Sequence, residues 1–272
     1  MSNHLTWPEI AAEQLRIMRQ KGPLVHNITN FVVMGVTANV LLAQGAYPVM
    51  AHAPEEVEEM TSLASALTLN IGTLSEHWVQ AMLLAGKKAN ALNRPVVLDP
   101  VGAGATRYRT ETVSRILDAV RISVLRGNPS EILAVSGAQG GARGVDAVHG
   151  VEEISETARN LAVQLRCVVA VSGERDLVTD GRCTVRLSGG SALMTKITGM
   201  GCALSSTVAA FVGAGGEDLA GAVGAMALYN VAGELAAQKS TGPGSFEPAF
   251  LDILALVGKD QMLRAQAYSV EQ

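Results

Sequence analysis

A glycine-rich turn leads directly into a cysteine in the segment MTKITGMGCALSS, residues 194–206. The run that follows, ALSSTVAAFVGAG, is small and apolar, which predicts a buried helix of about three turns. Gly199 and Gly201 let the backbone approach a ligand, and the free N–H groups of a first helical turn attract an anion. Cys202 would feel the positive end of the helix dipole, which is expected to lower its thiol pKa. The segment predicts a phosphate cradle beside an activated thiol, or else a glycine-rich loop with a small buried cysteine.

Several polar side chains follow the predicted strands of the chain. Short β-branched runs predict strands at Val96–Leu98, Ile122–Leu125 and Val168–Val171. The polar residues that come soon after them are Asp99, Arg126, Asn128, Glu131 and Ser172. The carboxyl ends of parallel strands meet at one edge of a sheet, and ligands bind there. We therefore expect these side chains at one edge, together with the glycine turn.

Phosphoryl transfer is the chemistry that these residues fit best. It needs an anion cradle, a hard cation held by carboxylates, a cationic clamp on the phosphates and a group beside the acceptor oxygen. The glycine turn is the predicted cradle, and Arg126 is the predicted clamp. Asp99 and Glu131 are predicted to hold Mg²⁺, largely through water, because this ion keeps several of its waters. Cys202 would then lie beside the acceptor hydroxyl.

Other function classes lack their sequence signals. The chain has no GxxxxGK[ST] P-loop, and no GxGxxG follows the first strand with an acidic residue about twenty positions on. A formal net charge of −4 without a basic stripe argues against nucleic-acid binding. No apolar run reaches the ~18 residues of a membrane span without interruption, and the N-terminal segment indicates an amphipathic helix rather than a leader. The three cysteines and five histidines lack metal-ligand spacing, which predicts a reducing cytoplasm and no structural zinc site.

The order of the predicted elements indicates the fold class. Helical stretches at residues 76–92 and 151–165 alternate with the strands, which argues for a mostly parallel sheet covered by helices on both faces. Asp180-Gly181 predicts a hairpin turn, and residues 218–240 predict a tightly packed helix rich in Gly and Ala. No linker or low-complexity segment divides the 272 residues, so we expect one domain over residues 1–272.

Four segments together resemble the hydroxyethylthiazole kinase family. They are PLVHNITNFVVMGVTANVLLAQGAYPVMAHAPEEV (residues 23–57), VVLDPVGAGATRYR (96–109), VLRGNPSEI (124–132) and ITGMGCALSS (197–206). The resemblance runs in order from about residue 12 to residue 258, with similar spacing throughout. The wider relatives are the ribokinase-like kinases, which usually carry Gly-x-Gly-Asp with the Asp as catalytic base. The thiazole kinases carry Cys in that place, as this chain does at Cys202.

The resemblance implies a fold, a reaction and a set of site residues. The fold is α/β, the ribokinase-like three-layer αβα arrangement with a mostly parallel central sheet and no lid. The reaction is phosphorylation of the hydroxyl of 4-methyl-5-(2-hydroxyethyl)thiazole by ATP with Mg²⁺, in thiamine salvage, by a cytoplasmic homotrimer with pockets at subunit boundaries. The implied residues are Met50, Asn27 and Gly199 for the thiazole, Arg126 and Ser172 for ATP, Asp99 and Glu131 for the metal, and Cys202 for catalysis.

Three other activities remain open at this point. A kinase of the same fold would act on a hydroxymethylpyrimidine or pyridoxal-type alcohol, and a lyase of the same fold would use ATP to dehydrate a hydrated nicotinamide cofactor. Both are expected to carry Asp where this chain has Cys202. The third is a nucleotide-binding regulator without turnover. Purely structural roles also fit single residues: a core position for Met50, a turn for Asn27 or Asp99, a first-turn acid for Glu131, and satisfied polar positions for His26 and His52.

Overall fold

A computed structural model describes residues 5–137, 151–264 and 267–271. These residues form eleven α-helices and nine β-strands. The helices are α1 (Trp7–Lys21), α2 (Met34–Gln44), α3 (Val57–Leu63), α4 (Glu76–Ala91), α5 (Arg107–Ala119), α6 (Pro129–Val135), α7 (Val151–Leu165), α8 (Met200–Gly213), α9 (Asp218–Gln238), α10 (Pro243–Leu256) and α11 (Lys259–Arg264). The strands are β1 (Leu24–Ile28), β2 (Tyr47–Val49), β3 (Ala66–Asn70), β4 (Val96–Asp99), β5 (Val124–Gly127), β6 (Val168–Val171), β7 (Arg175–Thr179), β8 (Thr184–Ser188) and β9 (Ala267–Glu271).

The strands form one sheet in the order β2-β1-β3-β4-β5-β6-β7-β8-β9. Pairing is parallel from β2 to β6 and antiparallel from β6 to β9. Strands β3 to β6 are buried along their whole length, which explains why they read as apolar runs rather than as alternating patterns. The last residues of β1, β3, β4, β5 and β6 meet at one side of the sheet, which we call the C-terminal edge.

Helices cover the sheet on both faces. One hydrophobic core contains buried side chains of α1, α2 and α8 to α11, and a second contains buried side chains of α3 to α7. Strands β1 and β3 to β7 therefore contribute side chains to both apolar layers, since successive residues of a strand point to opposite faces. The predicted α/β class, a mostly parallel sheet between two helical layers, is confirmed.

The late helix rich in Gly and Ala is the 21-residue α9. By length and hydropathy this helix would qualify as a membrane span, but 89% of its most apolar window is buried inside the protein. Its small residues allow neighbours to approach closely, since a Cβ added at Gly224 would lie 2.8 Å from the Cβ of Gln14 in α1. The prediction of a tightly packed helix is confirmed, and its apolar character belongs to the core.

Two boundaries near the C-terminal edge differ from the predicted ones. Strand β5 begins at Val124 rather than Ile122 and continues to Gly127, because Arg126 and Gly127 still pair with β6. Arg126 therefore lies inside the strand rather than after it. The segment Arg126-Gly-Asn-Pro-Ser-Glu131 predicts a helix that opens near Ser130-Glu131, and helix α6 begins at Pro129, one residue earlier.

Two local predictions are confirmed. The turn at Asp180-Gly181 joins β7 and β8, and Gly181 has the positive φ, +90°, that glycine adopts without strain. Asp180 Oδ1 accepts the N–H groups of Arg182 and Cys183, each at 2.8 Å. The N-terminal amphipathic helix corresponds to α1, while residues 1–4 of that predicted stretch lie outside the described residues.

Candidate active site

The C-terminal edge brings four of the predicted site residues into one cluster. Arg126 Nη1 donates a hydrogen bond to the Gly201 carbonyl oxygen (3.0 Å), and Nη2 donates to the Ser172 hydroxyl. Nη1 also lies 3.9 Å from Asp99 Oδ2. Arg126 therefore joins the ends of β4, β5 and β6 to the first turn of α8, where Cys202 is the third residue.

The glycine turn fits only because it lacks side chains. Gly199 is the N-cap of α8 with φ +88°, and an added Cβ would lie 2.8 Å from Val33 and 2.9 Å from Val36. An added Cβ at Gly201 would lie 3.0 Å from the guanidinium of Arg126. The first hydrogen bond of α8 runs from the Ala203 N–H to the Gly199 carbonyl (2.8 Å), so the preceding first-turn N–H groups remain available to an anion.

The thiol of Cys202 lies in a less polar environment than its position in the helix suggests. Its pKa rises to about 11, chiefly because it is buried and also because the Asp99 charge is near. Hydrogen bonding by Asn70 and Asn30 and the charge of Arg126 oppose this rise only in part. The expectation of a lowered thiol pKa is therefore wrong: desolvation outweighs the helix dipole, and Cys202 is a neutral thiol at neutral pH.

Asp99 is a fully buried carboxyl with one oxygen held and one free. Oδ2 accepts hydrogen bonds from Asn70 Nδ2 and Ser205 Oγ, both at 2.8 Å. Oδ1 is buried without a hydrogen-bond partner among the described residues. Burial raises the pKa of Asp99 to about 7, against the attraction of Arg126 and with a small push from the charge of Glu131.

Glu131 is tied to backbone groups. Its Oε2 accepts the Asn128 N–H (2.8 Å) and its Oε1 accepts the Gly102 N–H (2.9 Å). Asn128 Oδ1 in turn accepts the Glu131 N–H at 2.9 Å, which completes a capping box at the start of α6. The first-turn acid anticipated as a structural alternative is therefore present, and each oxygen keeps lone-pair capacity for a water.

The two residues assigned to the thiazole outside the glycine turn lie apart from this cluster in different ways. Met50 is half-buried just after β2. Asn27 lies inside β1, is 1% exposed, and donates from Nδ2 to the Val25 carbonyl (2.9 Å). His26 is buried with both ring nitrogens partnered, by Thr61 Oγ1 and the Ala51 carbonyl, so its satisfied polar role is confirmed. The same prediction is wrong for His52, whose Nδ1 is buried without a hydrogen-bond partner among the described residues while its ring stacks on Trp78.

Three polar residues that were not selected from the sequence surround the cluster. Asn30 Nδ2 lies 3.4 Å from Cys202 Sγ and 2.9 Å from Asn70 Oδ1. Because β1 ends at Ile28, Asn30 and not Asn27 is the asparagine of HNITN that follows a strand, and this position was the available signal. Asn70 is the last residue of β3, so it too lies at the C-terminal edge. Ser205, one turn after Gly201 in a helix that reads as apolar, gave no such signal.

A second buried pair supports the turn after β6. Asp176 Oδ1 accepts the Gly173 N–H (3.0 Å), and Oδ2 accepts Asn230 Nδ2 (2.8 Å). Burial raises the pKa of Asp176 to about 6. The pair fixes the turn that carries Ser172. No sequence pattern connects residues 176 and 230.

The donor set fits a hydrated magnesium ion. Across residues 5–137, 151–264 and 267–271 no group of three or more His, Cys, Asp or Glu side chains converges as a metal site. Asp99, with an unpartnered oxygen, and Glu131, with lone pairs to spare, offer two carboxylates near one edge. Mg²⁺ is bound in this manner, by one or two carboxylates plus water and phosphate oxygens.

Comparison with known proteins gives one consistent family. The model of the hydroxyethylthiazole kinase family matches residues 15–260. A protein named hydroxyethylthiazole kinase from Nitratidesulfovibrio vulgaris (strain DP4) is 53% identical over 253 residues, covering 93% of each chain. A solved structure described as hydroxyethylthiazole kinase protein from Pyrococcus horikoshii OT3 superposes with a TM-score of 0.90 at 41% identity, covering 97% of this chain and all of that one.

A more distant structure confirms the fold. A ribokinase-like superfamily protein from Enterococcus faecalis V583 superposes with a TM-score of 0.66 at 11% identity, over 94% of this chain and 96% of that one. At this identity the similarity concerns the fold alone, and it confirms the ribokinase-like αβα arrangement. With the family model matched over most of its length and relatives near half identity, the chain belongs to the hydroxyethylthiazole kinase family.

Proposed function

We propose that this protein transfers the γ-phosphoryl group of ATP to the hydroxyl of 4-methyl-5-(2-hydroxyethyl)thiazole, a step of thiamine salvage. The observation that carries the proposal is the first turn of α8, where the glycine turn, the half-buried thiol of Cys202 and the Asp99 carboxyl lie together in a chain of this family. The relatives that share this sequence at about half identity bear the name of this activity.

The chain's own groups divide the work between the two substrates. Arg126 and Ser172 bind the phosphates of ATP, and Arg126 Nε, which lacks a partner among the described residues, supplies a further donor. Gly199 and Met50 contact the thiazole, and Asn27 of β1 lies near it. The first-turn N–H groups of α8 hold the transferring phosphoryl group, where negative charge accumulates.

Cys202 serves the acceptor hydroxyl without removing its proton early. The hydroxyl oxygen bonds to the γ-phosphorus while the bond to the β,γ-bridging oxygen breaks, and the hydroxyl proton is released as ADP forms. A thiol with a pKa near 11 already carries its proton at neutral pH. Phosphoryl transfer passes through a loose transition state that needs little early deprotonation, so the sulfur orients the hydroxyl as a hydrogen-bond acceptor.

Asp99 and Glu131 would hold Mg²⁺ through water. The buried, unpartnered oxygen of Asp99 supports this assignment, and both carboxylates have remaining acceptor capacity. When bound, Mg²⁺ supplies charge neutralisation on the phosphate oxygens.

We further propose a cytoplasmic homotrimer, built of single-domain chains, with pockets completed at subunit boundaries. Phe31 and Val32 follow directly after Asn30, and they are 63% and 66% exposed. Apolar side chains so exposed beside the candidate site support a neighbouring chain as their cover. Light scattering on the eluting protein tests this: three chain masses are expected, and one chain mass would exclude the arrangement.

The activity is tested by ADP formation with Mg-ATP and each of three alcohols: hydroxyethylthiazole, hydroxymethylpyrimidine and pyridoxal. We expect turnover with the thiazole alcohol alone, and about a thousandfold less in an Asp99→Asn preparation made in parallel as a control for contaminating kinases. Turnover with another alcohol instead would favour that kinase, and a folded protein without turnover on any of them would favour a nucleotide-binding regulator.

A further inference from the structure

Two asparagine side chains connect the candidate catalytic thiol to the candidate metal carboxylate. Asn30 Nδ2 lies 3.4 Å from Cys202 Sγ and 2.9 Å from Asn70 Oδ1, and Asn70 Nδ2 lies 2.8 Å from Asp99 Oδ2. Both asparagines are at most 4% exposed. We call Asn30 and Asn70 the amide pair. Its members come from two adjacent strand ends, those of β1 and β3.

Backbone groups fix the direction of every hydrogen bond in the amide pair. The Gly72 N–H can only donate, and it lies 2.9 Å from Asn70 Oδ1, so that atom must be the amide oxygen. The Val32 N–H likewise lies 3.2 Å from Asn30 Oδ1. Each NH₂ group must then point inward, that of Asn70 to Asp99 and that of Asn30 to the sulfur. Neither amide can flip without opposing one donor to another.

The loop that holds Asn70 is itself braced. Arg109 donates to the carbonyl oxygens of Ile71 (2.9 Å) and Gly72 (2.8 Å). An added Cβ at Gly72 would lie 2.6 Å from Asn30 Nδ2, so glycine is needed for the amide pair to close. Because the loop fits so closely around the contact between Asn30 and Asn70, we interpret this contact as a functional feature rather than as incidental packing.

We propose that the amide pair positions the sulfur of Cys202: Asn30 keeps an N–H donor on the sulfur, and Asn70 fixes the orientation of Asn30. The proposal rests on the proposed function, in which that sulfur faces the acceptor hydroxyl. With one side of the sulfur held by Asn30, its remaining lone pair and its proton are left toward the hydroxyl. Loss of either asparagine would leave the thiol without this donor and free to rotate.

Alkylation of Cys202 by iodoacetamide, followed by mass spectrometry of its peptide, tests the proposal in the unliganded protein. The variants are Asn30→Ala, Asn70→Ala and the double variant, with the Cys183 peptide as internal reference. Asn90→Ala is the matched control, because Asn90 also makes two hydrogen bonds, both to the backbone of Arg121 and away from the site. The thiolate is the reactive form, so losing a donor slows the reaction, whereas a loosened structure speeds it.

We expect each single variant to slow Cys202 alkylation about threefold, with Cys183 and the Asn90→Ala protein unchanged. The double variant should slow alkylation by less than the product of the two single effects, because Asn70 also fixes the orientation of Asn30. Faster or unchanged alkylation, or a double effect equal to the product of the single effects, would overturn the proposal. If Asn70→Ala does not fold, Asn30→Ala alone decides, since it leaves the Gly72 and Asp99 bonds of Asn70 in place.

A parallel turnover measurement separates this inference from the proposed function. With the thiazole alcohol, Asn30→Ala and Asn70→Ala should lower kcat about tenfold while KM for both substrates stays within about twofold. A rise in KM with an unchanged kcat would contradict a positioning role. If the variants slow alkylation but the unaltered protein does not turn over the thiazole alcohol, the proposed function would be wrong, while the positioning of the Cys202 sulfur by the amide pair would still be supported.

Discussion

Asp99 and Glu131, the two carboxylates assigned to the metal, are held by different kinds of partner. Asp99 is bonded by the side chains of Asn70 and Ser205, which lie 29 and 106 residues away in the sequence. Glu131 is bonded by the backbone N–H groups of Asn128 and Gly102. Asp99 is thus held by side chains that are distant in sequence, whereas Glu131 is held by backbone N–H groups, one at its own helix start and one 29 residues away.

The difference in partners implies different roles for the two carboxyl groups: Asp99 remains reactive, whereas Glu131 is held in a fixed position. One amide donor and one hydroxyl donor do not compensate the burial of Asp99, so its pKa rises to about 7, and one oxygen has no hydrogen-bond partner among the described residues. Backbone N–H groups at a helix start suit a carboxylate, so the position of Glu131 stabilises the fold whatever else it does. We therefore expect substitution at Asp99 to affect activity and substitution at Glu131 to affect mainly stability.

The largest expected effect is that of Asp99→Asn. The variant keeps the side-chain shape but removes the charge, and we expect kcat/KM to fall about a thousandfold. Circular dichroism should show an unchanged fold, because Asn can still accept from Asn70 and Ser205. Activity within tenfold of that of the unaltered protein would show that catalysis does not depend on Asp99. The proposed functional difference between Asp99 and Glu131 would then be wrong.

The same variant should be stabilised relative to the unaltered protein as pH rises. The folded-state pKa of Asp99 is raised from 3.8 to about 7, so the folded form binds more protons than the unfolded form between these values. Stability from this group is complete below about pH 4 and is lost as pH rises to about 7. The melting temperature of Asp99→Asn minus that of the unaltered protein, in metal-free buffer, should therefore grow over this window. A difference independent of pH would contradict the buried carboxyl.

Arg126→Ala should weaken ATP more than the thiazole. The guanidinium bonds the Ser172 hydroxyl and the Gly201 carbonyl, on the side assigned to the nucleotide. We expect KM for ATP to rise about thirtyfold, the worth of one or two charge-assisted hydrogen bonds, and KM for the thiazole alcohol to rise less than threefold. Initial rates over both substrate concentrations measure this, and equal losses would contradict the assignment.

Cys202→Ala should lower kcat only about tenfold, because a protonated thiol orients the hydroxyl rather than deprotonating it early. Cys202→Asp should keep or raise the rate, since a carboxylate also accepts a hydrogen bond from the hydroxyl. Steady-state kinetics on both variants, with thermal melts to confirm folding, test this pair. An inactive but folded Cys202→Asp would count against an acceptor role at this position.

Local signals explain what the sequence could predict. The segment Asn128-Pro-Ser-Glu131 contains a capping pattern within four residues, and the glycine turn and Cys202 also lie within four residues of one another. Apolar runs separated by helical patterns were enough for the layered α/β fold. Arg126 and Ser172 were found because strand ends converge in any parallel sheet, even though β5 extends further than its apolar residues indicated.

Non-local register explains what the sequence could not predict. Asn70 reaches Asp99 because β3 and β4 pair Asn70 with Asp99 as direct neighbours, and this register depends on the packing of both sheet faces. Asn27 was assigned from the family resemblance, and Asn30 was missed because the sequence did not locate the end of β1. The predicted lowering of the Cys202 pKa was wrong because the burial that raises this pKa comes from chain segments distant in sequence.

The smallest expected effect is that of Glu131→Gln, and it tests the comparison most sharply. Gln offers one oxygen where the Asn128 and Gly102 N–H groups need two, so one hydrogen bond is lost at a cost of about 1 kcal/mol and a melting temperature lower by about 2–4 °C. If water separates Glu131 from the metal, the Mg²⁺ concentration for half-maximal rate should rise only about threefold.

Asn128→Ala is the matched control for Glu131→Gln, because it removes the opposite bond of the capping box, from the Glu131 N–H at 2.9 Å. It should lower the melting temperature similarly with no change in Mg²⁺ dependence. A rise of a hundredfold or more in the Mg²⁺ requirement of Glu131→Gln alone would mean that Glu131 binds the ion directly. The remaining lone pairs of its carboxylate would then coordinate the ion, and the two carboxylates would have equal roles in catalysis.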